Sequence, residues 1–307
     1  MPWLRESNVH PKDALITFIA DGHKYLYVPT GERIRKSTTG VLKPFFDTFD
    51  GMKICKSYFA SWLRNESHKY HHLALYLEAV CATREQAHEQ MCAHWMGIGD
   101  AAAAAGTAMH EQLELFIQNE LPDPKPGEAP PKAVLAYLGF LDWFYPDCEL
   151  KPWRCEFQVV YVQDGVPVVA GTIDFIMKDN LDRFWLFDWK RVSPKKKGLL
   201  GKRSAAKSMF TPTKASGPFA EFDADSYSQY SAQLLGYRWI IEHGGYDMEI
   251  AGCFLVQIHD DLDKAHVVAV DDAMEEAVNT AMLAEVAAAK AEAAAAAAAT
   301  TGPIAAE

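Results

Sequence analysis

The pattern of apolar and polar positions predicts a short hairpin and then a long helical region in the first part of the chain. Residues 15–28 alternate around an Asp-Gly turn, which favours two antiparallel strands. Ser37 and the two threonines behind it are typical of a helix start. Helical spacing of apolar residues runs from 53 to about 105, and Gly106 begins a further helix. A proline-rich loop over 121–131 closes this region.

The second half of the chain has the alternation of a β-sheet. After a helix over 134–144, three strands follow in meander order, and then a helix, a fourth strand and a last helix. The strands are predicted at 153–162, 166–177, 184–192 and 249–258, and the last two helices at 226–243 and 271–289. The tail from Ala284 is nearly all alanine and can extend the last helix, but it has no large side chains to pack, so we expect it to fray or be disordered. This order predicts an α/β (α+β) fold with a mixed central β-sheet flanked by helices and a helical N-terminal extension.

The composition is that of a globular chain with a sizeable core. Hydrophobic residues make up 49% of the 307 residues, and no apolar run reaches the roughly 18 residues that span a bilayer. The N-terminal segment has no apolar signal core, and its acidic residues argue against a transit peptide. We therefore expect an intracellular protein without a membrane partner, in the cytoplasm or the nucleus. The six scattered cysteines favour buried thiols over disulfides or zinc ligands.

The strand over 184–192 contains a charged pair inside an apolar run. Asp188 and Lys190 are two residues apart, so they project from the same face of a strand, while Trp189 packs on the other. Asp174 lies on the preceding strand, where pairing can bring it beside Asp188. Two close carboxylates repel unless a cation lies between them, and hard oxygen ligands suit Mg²⁺ or Mn²⁺. An isolated Asp-x-Lys is more often a surface ion pair, but the apolar run before Asp188 favours a functional reason for the charges.

Other polar positions are candidates that each also have an ordinary structural explanation. His110 shares a helical face with Glu114 and can complete a metal site, although single histidines are more often caps or core residues. Glu156, near the start of the first strand, is a further candidate ligand or a surface residue. Tyr230, Gln233 and Tyr237 line one face of a predicted helix, where they can touch a phosphate backbone or simply form an amphipathic rim.

The charge distribution supports a polyanionic ligand only in one place. A formal net charge of −11 argues against nucleic-acid binding by the chain as a whole. Between 190 and 214, however, there are nine Lys or Arg residues and no acidic residue. An acidic protein with one such basic strip can still bind a polyanion there. The strip includes Lys195, Lys196, Lys197, Lys202 and Arg203.

Taken together, five motifs resemble those of PD-(D/E)XK nucleases of the RecB-like branch. In chain order they are Gly-Thr-x-x-His110, Glu156, Gly-Thr-Ile-Asp174, Asp188-Trp-Lys190 and Gln233-Leu-x-x-Tyr237. The set is most similar to mitochondrial genome maintenance exonucleases and related nucleases of large DNA viruses, over roughly residues 106–258. The resemblance implies a restriction-endonuclease-like core at 106–262. The region 1–105 would then be a hairpin and helical extension, a possible arch for threading DNA, and 263–307 a C-terminal helix and tail.

The resemblance also implies roles for individual residues. His110, Asp174 and Asp188 would bind Mg²⁺ or Mn²⁺, and Lys190 would be the catalytic lysine. Glu156 would take part in catalysis, although its role varies within the family. Gln233 and Tyr237, with Tyr230, would support the site and contact DNA, as would the basic strip that follows the catalytic strand. No iron–sulfur cluster is expected, because only Cys253 follows Gln233.

The expected function is metal-dependent hydrolysis of DNA, most simply as an exonuclease acting on single-stranded ends or flaps. A structure-specific or nicking endonuclease is the alternative with the same core, because selectivity for ends depends on the surrounding fold. A third alternative is a nucleic-acid-binding subunit that has lost catalysis. The complete set of ligand-type residues argues against it. The expected partner is DNA that is single-stranded or has free ends.

Overall fold

The computed structural model of the protein describes residues 3–22, 24–46, 49–118, 130–148, 150–194 and 214–300. Within these ranges the chain has a mixed α/β fold in which helices flank a central mixed β-sheet, as the sequence predicts. It forms two compact units, one of Met1–Asp47 with Met109–Glu307 and one of Thr48–Ala108. The predicted region 1–105 is therefore divided, and its first part belongs to the unit that contains the sheet.

The central sheet is built on a meander of three antiparallel strands. These are β5 (Lys151–Gln163), β6 (Val166–Lys178) and β7 (Phe184–Lys190). β8 (Ile250–Gln257) pairs in parallel with β7, and β9 (His266–Ala269) pairs antiparallel with β8. A parallel neighbour needs a crossover connection, and the helix α7 (Ser226–His243) lies between β7 and β8 in the chain. The meander, α7 and β8 follow the predicted order, whereas β9 was not predicted.

A short strand near the N-terminus adds to the sheet and leaves a gap in it. β4 (Lys36–Ser37) pairs in parallel with Val169 and Ala170 of β6. Because β5 occupies the other edge of β6 along its whole length, β4 and β7 share one edge. The pairing with β7 begins only at Phe175. Within the described chain, residues 171–174 of β6 therefore have no strand partner on that edge, and the candidate site lies at this gap.

Helices cover both faces of the sheet. The elements α2 (Thr38–Leu42), α7 (Ser226–His243) and α8 (Glu275–Thr300) contribute to the core on one face. On the other face, the end of α5 (Arg84–Ile117) and α6 (Lys132–Cys148) contribute Leu113 and Phe140 to a core with Trp189. The short helix α1 (Trp3–Ser7) adds Leu4 to this second core. The sheet is thus the middle layer of three, which is the arrangement that buries both of its apolar faces.

The N-terminal hairpin covers one end of the meander. It consists of β1 (Ile16–Ile19), β2 (Lys24–Tyr27) and β3 (Glu32–Arg33), which form a small antiparallel sheet. Ile16 and Tyr25 of this sheet are buried together with Val160 of β5 and Ala170 of β6. The hairpin that the alternating pattern predicts at 15–28 is therefore present, and it packs directly on the two longest strands.

The second compact unit is helical. Its elements are α3 (Gly51–Arg64), α4 (His71–Val80) and the first part of α5. Phe59, Trp62 and Met91 are fully buried at its centre. Amphipathic helices gain most of their stability from burying such a face, so this core accounts for the unit.

One prediction about a helix end is wrong. Gly106 does not begin a helix, because α5 runs without a break from Arg84 to Ile117. Five alanines precede this glycine, and one interior glycine costs a helix only about 1 kcal/mol relative to alanine. The tail from Ala284 extends the last helix over its described part, since α8 continues to Thr300, and the expected fraying stays a prediction. Ion pairs of Glu285 with Arg35 and Lys36, and of Glu292 with Arg35, hold α8 as far as residue 292.

The described helices contain no segment that is both long and apolar enough to cross a membrane.

Candidate active site

Asp174 lies at the gap where β6 and β7 stop pairing. Beyond the pair Phe175–Phe187, the backbone N–H of Trp189 donates to Oδ2 of Asp174 at 2.8 Å. The side chain thus satisfies a backbone donor that a β6 carbonyl would otherwise satisfy. This hydrogen bond holds the carboxylate in place. Because 12% of the Asp174 side chain is exposed, a ligand can still reach it from outside.

His110 points its ring at the same carboxylate. Its Nε2 donates to the backbone carbonyl of Trp189 at 2.9 Å, and its Nδ1 lies 3.6 Å from Oδ2 of Asp174. A carbonyl can only accept, so this hydrogen bond fixes the proton on Nε2. In the neutral ring, Nδ1 then carries a lone pair directed toward Asp174. Histidines that bind metals are usually oriented in this way, through a hydrogen bond from the other ring nitrogen.

Glu156 completes a cluster with these two residues. One ligand atom each from His110, Glu156 and Asp174 lies within 4.8 Å of the others. The register explains the contact, because Cys155 pairs with Phe175 and Phe157 with Ile173, which leaves Glu156 opposite Asp174. Two carboxylates and one imidazole at this spacing form a donor set that suits a divalent cation.

The backbone and the electrostatics of Glu156 are both unfavourable without a ligand. Its φ of 47° lies in the left-handed region, which costs a side chain such as glutamate free energy and is found at functional sites. Burial raises the pKa of Glu156 well above its usual range, and the charges of Asp174, Glu114 and Asp188 raise it further. A cation at this position would relieve the repulsion.

Asp188 and Lys190 form a buried ion pair on β7. Nζ of Lys190 donates to Oδ1 of Asp188 at 2.9 Å and lies 2.7 Å from Oδ2, which has no directed hydrogen bond. Asp188 is 1% exposed, and Trp189 between them packs into the opposite core, as the spacing predicts. Burial and, to a smaller extent, the charge of Asp174 raise the pKa of Asp188 to about 6, against the attraction of Lys190. Burial lowers the pKa of Lys190, but the charges of Asp188 and Asp174 outweigh burial and raise it, so the lysine stays protonated.

Helix α7 supports this pair and the gap beside it. Nζ of Lys190 lies 4.8 Å from the ring centre of Tyr230, a cation–π contact. Gln233 donates to the hydroxyl of Tyr237 at 2.7 Å. The ring of Tyr237 packs so closely on Gly171 that a Cβ there would lie 2.3 Å from Cε1. This close approach explains the glycine of the Gly-Thr-Ile-Asp motif, and the burial of Tyr237 favours a supporting role.

The structure groups the predicted ligands differently from the sequence. The cluster within 4.8 Å contains Glu156 and not Asp188, whose oxygens face Lys190 instead. The reason is the antiparallel register of β5 and β6, which no motif spacing contains. Lys195, Lys196, Lys197, Lys202 and Arg203 lie outside the described residues, so their predicted contact with DNA stays a prediction. The described strand end before them is fixed by Gln257, which donates to the carbonyl of Val192 at 2.8 Å.

Some residues near the site were not selected from the sequence. Tyr25 of the hairpin contacts the hydroxyl of Thr172, two residues before Asp174. Glu114, whose charge raises the pKa of Glu156, shares the face of α5 that carries His110, and the i, i+4 spacing was the available signal. For Tyr25 the sequence offered only its place in an alternating strand.

Comparisons with known proteins add little to this geometry. No protein-family model matches the chain, and no curated protein matches it. Among solved structures, one described as "Crystal structure of SSO0001" aligns with 12% identity over 75% of this chain and 84% of that chain, with a TM-score of 0.25. A similarity of this size carries no functional argument.

Proposed function

We propose that the protein is a metal-dependent DNA nuclease that hydrolyses phosphodiester bonds with a PD-(D/E)XK site. The observation that carries the proposal is the cluster of His110, Glu156 and Asp174, with ligand atoms within 4.8 Å of one another, beside the buried pair of Asp188 and Lys190. Crowded carboxylates can hold a metal that activates water, and a charged lysine beside them can stabilise the charge that develops on a phosphate.

The three clustered residues fit a hard divalent cation such as Mg²⁺ or Mn²⁺. The donors are two carboxylates and an imidazole whose Nδ1 is left available by the bond from Nε2 to Trp189. A bound divalent cation polarises the phosphate and makes an attacking water more acidic. The resemblance adds Asp188 to the ligands, and Asp188 also forms an ion pair with Lys190.

Lys190 supplies a positive charge at the edge of the cluster. Asp188 and the ring of Tyr230 restrain its ammonium group, so little reorganisation is needed when negative charge develops on the phosphate. The ammonium group can donate a hydrogen bond to the attacking water or to a phosphate oxygen. Asp188 therefore acts as a positioning residue for the lysine.

The motif resemblance supports DNA with single-stranded ends or flaps as the substrate. Hydrolysis that begins at an end requires a free terminus, whereas an endonuclease with the same core cuts closed circles. The basic strip after β7 supports a polyanionic substrate, because lysine and arginine side chains contact phosphates without regard to sequence.

The test is digestion of 5′- and 3′-labelled strands, duplexes and closed single-stranded circles, with Mg²⁺ or with chelator. We expect metal-dependent release of short products from linear strands and none from circles. Cutting of circles would replace the exonuclease by the endonuclease. No cleavage of any substrate by folded protein, together with no binding of Mg²⁺ or Mn²⁺ in calorimetry, would overturn the nuclease and favour a binding subunit.

A further inference from the structure

A hydroxyl pair joins the N-terminal hairpin to the strand that carries Asp174. The hydroxyl of Tyr25 lies 2.9 Å from Oγ1 of Thr172, although the two residues are 147 positions apart in the chain. Tyr25 is 5% exposed and packs against Val160 and Ala170, so its ring is fixed by the core. Thr172 is partly exposed, so its hydroxyl can meet a ligand.

Thr172 lies in the gap that contains the candidate site. It belongs to residues 171–174 of β6, which have no strand partner on the edge shared by β4 and β7 in the described chain. Thr172 precedes Asp174 by two residues, on the same unpaired stretch of β6. Its hydroxyl therefore lies near the cluster without belonging to it.

The protonation of Tyr25 determines what the pair can do. Burial, together with the charges of Glu156 and Asp174, raises the pKa of Tyr25 to about 12, so the phenol keeps its proton at neutral pH. A phenol that donates to Oγ1 of Thr172 leaves the threonine proton free for another acceptor. Phosphate oxygens are such acceptors, and threonine hydroxyls are among their usual protein contacts.

We propose that Thr172, oriented by Tyr25, donates a hydrogen bond to an oxygen of a substrate phosphate next to the one that is cleaved. Thr172 is then a substrate-binding residue and Tyr25 its positioning residue. The inference rests on the proposed nuclease function and deepens it by assigning a phosphate contact to a position outside the metal ligands.

The test compares Thr172→Val, Thr172→Ser and Tyr25→Phe with the natural protein. Valine keeps the shape and β-branching of threonine without the hydroxyl, whereas serine keeps the hydroxyl. For Thr172→Val we expect KM for a single-stranded oligonucleotide to rise about tenfold with kcat nearly unchanged, as for one lost hydrogen bond to a charged group. We expect Thr172→Ser to stay near the natural value and Tyr25→Phe to raise KM by less than Thr172→Val.

A second measurement separates this contact from a structural role. Binding of the same oligonucleotide in the presence of Ca²⁺, measured by fluorescence anisotropy, reports the affinity without turnover. Tyr246→Phe is the matched control, because Tyr246 is also buried and its hydroxyl bonds the backbone of Val160, outside the site. We expect it to lower thermal stability without a change in KM or affinity.

The outcomes distinguish the two proposals. If the natural protein cleaves DNA but Thr172→Val binds and cleaves like it, the phosphate contact is wrong and the nuclease stands. Equal losses in Thr172→Val and Thr172→Ser, or a rise in KM for Tyr246→Phe of the same size, would also overturn the contact. If the natural protein neither binds nor cleaves DNA, the proposed function itself fails.

Discussion

Two charged residues of β5 have opposite environments. Arg154 is 2% exposed on β5, and its guanidinium contacts both carboxylate oxygens of Asp13, at 2.9 and 3.1 Å, and the carbonyl of Asn8. Glu156 follows two residues later. Among the described residues, no lysine or arginine forms an ion pair with it, and it faces Asp174 instead.

The difference between these environments helps to distinguish a charge with a structural role from a charge that binds a ligand. The protein itself neutralises Arg154, at the cost of ordering the segment that carries Asp13. Glu156 is left beside further carboxylates, an arrangement that folding alone does not favour. We therefore interpret the first pair as part of the scaffold and the second cluster as a site for an external cation.

The largest expected effect is on catalysis. Asp174→Asn removes one clustered charge at the same volume, and we expect kcat on single-stranded DNA to fall about a thousandfold or more, as when a charge-stabilising group is removed. The stability of the metal-free protein should not fall in proportion to kcat, because the substitution also relieves the repulsion between the clustered carboxylates. The measurement is steady-state cleavage in Mg²⁺ together with thermal unfolding in chelator.

Asp179→Asn is the control for this change. Asp179 lies in the next turn and accepts hydrogen bonds from Leu181, Arg183 and Trp185, so it is structural. We expect the Asp179→Asn variant to be less stable than the natural protein and to have an unchanged kcat. Similar kcat values for Asp174→Asn and Asp179→Asn would remove the functional distinction.

The next effect is on stability, at Arg154. Replacement by methionine leaves the carboxylate of Asp13 without its partner in a partly buried position. We expect a loss of about 3 kcal/mol in the free energy of unfolding, because breaking a buried pair from one side is costly. Urea unfolding measures it. The double variant with Asp13→Asn should recover part of the loss, and additive losses would show that the pair is not coupled.

Glu156→Gln should change the free energy of unfolding in the opposite direction from the Arg154 replacement, and by a smaller amount. Removing the charge relieves repulsion, so the metal-free protein should gain about 1 kcal/mol. The same variant should lose the stabilisation that the natural protein gains from Mg²⁺, about 2.7 kcal/mol at a hundredfold excess over Kd. Thermal unfolding with and without Mg²⁺ measures both, and Glu249→Gln, at an exposed position before β8, is the control. A metal-free loss of stability would contradict the contrast with Arg154.

The smallest effect is the pH dependence of the structural pair. Burial opposes ionisation of Asp13, but hydrogen bonds from Arg154 and from the backbone of His10 outweigh it and lower its pKa. The folded state therefore holds this proton less tightly than the unfolded state. The stabilisation is complete above the unfolded pKa and is lost as the pH falls through the folded one. The stability difference between the natural protein and Asp13→Asn should be constant above about pH 5 and should narrow as the pH falls below it, through the lowered pKa of Asp13. A difference that stays constant down to low pH would exclude this origin.

The sequence predicted the elements of the sheet because their signals are local. Alternation and turn residues are contained in short windows, and they placed the meander, α7 and β8 correctly. The spacing of Asp188 and Lys190 predicted their shared face for the same reason. Gly106 misled because a residue that often ends helices is tolerated within a long alanine-rich one.

The parts that were not predicted depend on register and on distant partners. Glu156 was named as a candidate ligand, but its position opposite Asp174 depends on how β5 aligns with β6 and on the left-handed backbone at Glu156. The contacts of Tyr25 with Thr172 and of Asp13 with Arg154 join residues more than a hundred positions apart. No periodicity in the chain contains such information.

The short strand β4 has a consequence for the order in which parts of the chain fold during synthesis. Lys36 pairs with Val169 and forms an ion pair with Glu285. It cannot form these contacts until both partners have left the ribosome, which happens much later in synthesis. Such distant contacts slow folding, whereas the helices around Trp62 need only neighbours that emerge soon after them. We expect hydrogen-exchange protection on stalled nascent chains to appear in Thr48–Ala108 before β4 is protected. The beginning of the chain would then be among the last parts to become native.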